Sequence, residues 1–243
     1  MNTFFLDRLN SEPHALAFAG QSTPWPVALA DQSANPALDE ALHTHAAAAQ
    51  ALLYPVSAEL LATTGRPVDL FGFEPNPARL GAAAAASASV PGIALTQLGA
   101  LLDAAALGYN PAQAKPVAVL GHSQGVLAVH MVQAICEAGS IDAAAAKIDE
   151  ILAIATLIGV AGTRQARQLG LAARHGEATP MLSVKDITRA QVDALIERVD
   201  GARGPIAVAV TNSATHYVLS GYPEDLAAFG VEVAKEHKLS LIH

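Results

Sequence analysis

Pro116-Val117-Ala118-Val119-Leu120-Gly121-His122-Ser123-Gln124-Gly125-Val126-Leu127-Ala128 joins three local signals in one run of chain. Residues 116–120 are apolar and rich in valine, and read as a buried strand. From Val126 to residue 138 the apolar side chains recur at helical spacing. Strand, Gly-x-Ser-x-Gly and helix together make a nucleophile elbow. The turn is too tight for a Cβ at the positions flanking the serine, and the serine itself is held in a strained conformation. Such a turn puts the Ser123 hydroxyl at the carboxyl edge of a sheet, above the N-terminus of the next helix. Backbone N–H groups there can stabilise an oxyanion. A chance match is the competing reading in a chain with 18 glycines, and the flanking strand and helix decide against it.

The composition supports a well-buried globular protein. Of the 243 residues 52% are hydrophobic and 15% charged, enough for one large domain with a smaller companion. The net charge of −8 and the lack of any Lys/Arg cluster exclude nucleic acid as an expected partner. The single cysteine, Cys136, lies in an apolar helical run and is expected in the core, and a disulfide framework is ruled out. The start of the chain has no basic stretch followed by a long apolar run, and no segment is expected to span a membrane, which points to the cytoplasm. The histidines lack ligand spacing, so no metal site is expected.

Along the chain, strands and helices alternate. Residues 14–19 read as a strand that breaks at Gly20, residues 36–64 and 90–107 as helices, the second opened by Pro91 near its first turn. A long helix over 141–170 follows the elbow helix. Short strands with long crossovers imply a largely parallel sheet covered on both faces. A polar linker at 174–180 marks a change of character. Beyond it come a strand (181–184), a helix (188–199), strands at 206–210 and 217–220, and a helix (222–238). Thr188 with Gln191 forms a capping-box signature. Strand–helix–strand–strand–helix is a ferredoxin-like unit short of its last strand. The fold class expected is α/β: an α/β-hydrolase-like parallel-sheet core over 1–174, with an inserted ferredoxin-like subdomain over 175–243 that is truncated at the C-terminus.

These residues resemble the acyl-CoA:acyl-carrier-protein transacylase family. The features are a first strand ending in Gly20-Gln21, the elbow Gly121-His122-Ser123-Gln124-Gly125, and the segments Val210-Thr211-Asn212-Ser213 and Val218-Leu219-Ser220-Gly221. Ser89-Val90-Pro91-Gly92 and Leu157-Ile158-Gly159-Val160-Ala161-Gly162-Thr163 add to the likeness. The elbow is most similar to that of the N-terminal acyltransferase domain of mycobacterial and corynebacterial type I fatty acid synthases. The resemblance implies ping-pong transfer with no permanently bound cofactor. Ser123 takes an acyl group from acyl-CoA as an ester and passes it to the phosphopantetheine thiol of an acyl carrier protein, beside other domains of a large synthase. It implies an oxyanion hole built from the N–H groups of Gln124 and Gln21, each donor worth about 3 kcal/mol.

The family's base is a histidine from the strand that completes the small subdomain. None of the histidines here takes that place: His122 helps shape the site or is structural, His130 is two turns down the elbow helix, and His175, His216 and His237 fall where solvated residues are usual. His243 is nearest in order but too early, so the base is expected in sequence downstream. Ile158 aligns with the arginine that pairs with malonyl carboxylate in relatives, so an uncharged acyl group, acetyl above all, is expected. Asn212 either lines the cleft or is an ordinary turn residue. A serine hydrolase or thioesterase, and an inactive structural fragment of a synthase, are the alternatives.

Overall fold

In the computed structural model, which describes residues 3–20, 24–53, 70–71, 86–168, 181–199 and 203–237, the two apolar segments on either side of the first crossover pair in parallel. Strand β1 (Ala15–Phe18) lies beside β2 (Ala118–Gly121), with Ala15 opposite Ala118 and Phe18 opposite Gly121. Parallel strands need a long return path. It is supplied by helices α2 (Trp25–Ser33), α3 (Pro36–Leu52), α4 (Ala86–Ala106) and the short α5 (Pro111–Ala114), while α1 (Thr3–Ser11) precedes β1. Asn35 caps α3 by accepting the Ala37 N–H, and Asn110 does the same for Ala112 at α5, each followed by a first-turn proline.

Helix α4 supplies the centre of this unit. Its Ile93, Leu95 and Leu98 are buried with Leu42 of α3, Met131 and Ile135 of α6 (Gly125–Ala138), and Ile148 of α7 (Ile141–Gln168). Across this core the His45 Nδ1–H donates to Asp149 Oδ1 at 2.6 Å, joining α3 to α7. The carboxylate can only accept, so Nδ1 carries the hydrogen.

Four expectations are corrected here. Pro91 stands inside α4, not near its start, and leaves the Ser87 carbonyl without its usual helical donor. That same helix is long and apolar enough to cross a membrane by length and composition, contrary to the sequence reading, but 72% of its apolar window is buried, as in a core helix. The strand before the elbow is not fully buried: Val117 is 72% and Leu120 60% exposed, because among the described residues the parallel sheet has two strands and β2 is its edge. Cys136 is exposed, since the buried face of α6 runs through Leu127, Met131, Ala134 and Ile135 and leaves it on the outer side.

The chain divides into two compact units, Met1–Gln165 and Ala166–His243. The division falls in the last turn of α7, ahead of the 174/175 boundary read from the linker, and residues 169–180 lie outside those described. The second unit contains β3 (Met181–Lys185), α8 (Arg189–Val199), β4 (Ala207–Ser213), β5 (His216–Ser220) and α9 (Pro223–His237). Its strands are antiparallel, with β5 between β3 and β4. Alternation puts Leu182, Val184, Tyr217 and Leu219 into a core with Val192 and Leu195 of α8 and Phe229 and Val233 of α9. The capping box is in place: Gln191 Oε1 accepts the Thr188 N–H at 2.9 Å and Thr188 Oγ1 accepts the Gln191 N–H at 3.4 Å.

Two measurements check this packing. Asp149→Ala, which leaves the His45 N–H unpaired, is expected to cost about 2 kcal/mol, whereas Asp149→Asn keeps an acceptor and costs under about 1 kcal/mol. At roughly 2–4 °C per kcal/mol, calorimetric melting resolves the two. Burial raises the Cys136 thiol pKa and the Glu137 charge adds to it, so alkylation at neutral pH is slow despite exposure. The rate of iodoacetamide labelling should keep rising as pH passes 9, and a rate already at its plateau at pH 8 would contradict the shift.

Candidate active site

The elbow is built by steric exclusion. At the end of β2 the chain keeps its parallel bond for one more residue, the His122 N–H donating to Phe18 O at 3.0 Å, and then reverses into α6. Ser123 takes φ +54°, the left-handed region, one of the few non-glycine residues to do so here. Side chains at that angle crowd the backbone, and a serine held there is strained. A Cβ on Gly121 would come within 2.5 Å of the Gly125 carbonyl, and one on Gly125 would strike the Phe18 carbonyl. On the facing strand end, a Cβ on Gly20 would lie 2.8 Å from both Ser123 Cβ and the His122 carbonyl. The first strand therefore ends in bare backbone pressed against the serine.

The hydrogen bonds of the turn sort its N–H groups. Gly125 N–H donates to His122 O at 2.9 Å and Val126 N–H to Ser123 O at 3.2 Å. Among the described residues nothing accepts the Gln124 N–H, at the cap of α6 where the helix dipole favours negative charge. Nor does any described side chain hydrogen-bond the Ser123 hydroxyl, which is exposed. An exposed serine hydroxyl beside an uncommitted N–H at a helix start is the arrangement acyl transfer uses for nucleophile and oxyanion donor. A cavity of about 400 Å³ elsewhere in this unit is lined by Pro111, Lys115, Val119, Val132 and Cys136, and Ser123 is not among its walls.

The sequence-derived site residues meet different fates. Gly20, His122, Ser123 and Gln124 come together; His122 is exposed, and Gln124 is half-buried with its Oε1 unpartnered. Gln21 lies outside the described residues. Ile158 is 51% exposed on α7, in a row with Ile154 and Leu157, and its neighbour Gly159 packs against the Ala86 carbonyl. Asn212 belongs to the second unit and sits within β4 rather than in a turn, where the register with β5 shifts between Thr211 and Ser213. His216 opens β5 instead of preceding it in solvent, and its Nε2 meets Ser183 Oγ at 2.9 Å.

Sequence reasoning missed Gln97. Its Nε2 donates to the Ala19 carbonyl at 2.6 Å, one residue before Gly20. The available signal was a long amide between the buried Thr96 and Leu98 of an otherwise apolar helix.

Residues 74–241 match the family described as starter unit:ACP transacylase in aflatoxin biosynthesis. The chain belongs to that family. The fatty acid synthase beta subunit hexB of Dothistroma septosporum is 30% identical to this chain over 128 residues, 47% of this chain and 7% of that one. The fold is that of the malonyl-CoA:ACP transacylases. A malonyl-transacylase solved in complex with its type II PKS acyl-carrier protein aligns at TM-score 0.52 and 16% identity, over 93% of this chain and 60% of that one. The malonyl CoA-acyl carrier protein transacylase of Coxiella burnetii aligns at 0.51 and 17%, over 95% and 61%. That of Clostridium perfringens gives 0.51 and 17%, over 93% and 58%. The chain thus spans about 60% of the length of these structures.

The left-handed serine gives a direct stability test. Ser123→Gly relieves the φ strain that Ser123→Ala keeps, so the glycine variant is expected to be more stable by about 1 kcal/mol in urea unfolding. Alanine equal to or above glycine would mean that the elbow is relaxed.

Proposed function

We propose that this chain loads a starter acyl group, acetyl or another short uncharged one, from CoA onto Ser123 and passes it to the phosphopantetheine thiol of an acyl carrier protein, within a cytoplasmic fatty acid synthase. The observation that carries the reading is the strained Ser123, pressed on Gly20 and followed by the unclaimed Gln124 N–H, in a chain of the starter-unit transacylase family. Ser123 Oγ attacks the thioester carbonyl and gives its proton to a base. The carbonyl oxygen becomes an oxyanion held by the Gln124 N–H and, in this reading, by that of Gln21. Collapse expels the CoA thiolate, which takes up a proton. The carrier thiol then attacks the ester carbonyl, and Ser123 recovers its hydrogen as the acyl group leaves as a new thioester.

The order β3–α8–β4–β5–α9 with β5 central supports reading the second unit as a ferredoxin-like subdomain. His122 is read as lining the site. Ile158 carries the acyl preference: an aliphatic side chain offers a malonyl carboxylate none of the two-pronged pairing that an arginine would, a difference worth about a hundredfold in rate.

Intact-protein mass spectrometry after incubation with acetyl-CoA or malonyl-CoA tests this. An acetyl adduct absent in Ser123→Ala, with malonyl labelling at least about a hundredfold slower, is expected. Malonyl labelling as fast as acetyl would overturn the role of Ile158, and Ile158→Arg should then leave the preference unchanged.

A further inference from the structure

We propose that Gln97 is a positioning residue for acyl transfer, fixing the peptide that joins Ala19 to Gly20 against the nucleophile elbow; the proposal rests on the reading of Ser123 as nucleophile. Gln97 is carried by α4, whose Ile93, Leu95 and Leu98 are fully buried, so its backbone is anchored in the core. Its side chain leaves that helix to donate Nε2–H to the Ala19 carbonyl at 2.6 Å. The amide orientation follows from chemistry, because a carbonyl oxygen can only accept. The other end of the amide, Oε1, is buried and accepts from no described donor. An aliphatic side chain at this place would avoid that unsatisfied oxygen, so the single bond to Ala19 is what the glutamine supplies.

That bond acts at a sensitive place. The Ala19 C=O and the Gly20 N–H belong to one planar peptide, so holding the oxygen sets the plane in which Gly20 begins. Gly20 is the residue whose missing side chain lets the strand end touch Ser123 Cβ and the His122 carbonyl. The same Ala19 oxygen also faces the elbow from the far side, since a Cβ on Gly125 would come within 3.0 Å of it. The Ala19 carbonyl is thus fixed between Gln97 and the second glycine of the elbow. Gln97 bonds to the backbone beside the elbow rather than to the serine. It holds the backbone that abuts the nucleophile.

The test compares wild type, Gln97→Met and Gln97→Glu in the full chain, reading the single-turnover rate of Ser123 acylation by acetyl-CoA alongside thermal melting. Gln97→Met keeps the volume and removes the donor, and is expected to slow acylation roughly tenfold to a hundredfold while melting within a few degrees of wild type. Gln97→Glu can donate to Ala19 only as the neutral acid. Its rate relative to Gln97→Met is therefore low at pH 8 and climbs as pH falls toward the carboxyl pKa, which the facing carbonyl oxygen raises above that of a free glutamate. A purely structural glutamine would give no such pH-dependent rescue. Gln97→Met within threefold of wild type, or Gln97→Glu tracking Gln97→Met at every pH, overturns the proposal alone. Should Gln97→Met fail to fold, the pH-dependence of Gln97→Glu against wild type carries the same decision. A wild-type chain that takes no acyl group overturns both the proposal and the reading of Ser123.

Discussion

Everything at the elbow depends on one steric constraint: Ser123 must sit at φ +54° with no side chain on the backbone that touches it. A left-handed serine costs energy that an ordinary turn would not. It persists because the parallel bond from His122 to Phe18 on one side and the first turn of α6 on the other determine the path between them. The reward is geometric. The serine stays exposed, and the next N–H, that of Gln124, has no acceptor within the turn.

The constraint spreads outward from there. Because Gly125 and Gly20 carry no side chain, the end of β1 comes close to the elbow, and the first strand helps to shape the turn as well as the sheet. The core reaches the elbow through α4, which packs the centre of the first unit and sends Gln97 to the Ala19 carbonyl. Catalytic geometry of this sort is held by backbone, and backbone is held by packing.

How much of this was legible in the sequence divides along physical lines. The elbow was, because Gly121, Ser123 and Gly125 are needed by local sterics, and local sterics are written in adjacent residues. The capping box at Thr188 and Gln191 was legible for the same reason. What was not legible depends on partners far away in the chain. Cys136 reads as core from composition but lies on the outer phase of its helix, and Val117 and Leu120 read as buried strand but stand at a sheet edge. Gln97 is the clearest case: its partner is 78 residues away and no local pattern connects them. His45 and Asp149 meet across the core at a separation of 104 residues and were equally silent.

Membership of the starter-unit transacylase family and the transacylase fold agree with the elbow, and the central claim is that the acyl group rides on Ser123 between two thiols. The most direct measurement is to isolate the acetylated chain, map the adduct by peptide mass spectrometry, and chase it with pantetheine thiol or buffer alone. The account predicts a hydroxylamine-labile ester on the peptide holding Ser123, discharged far faster by the thiol than by water. An adduct on another residue, or discharge to water at the rate of the thiol, would contradict it.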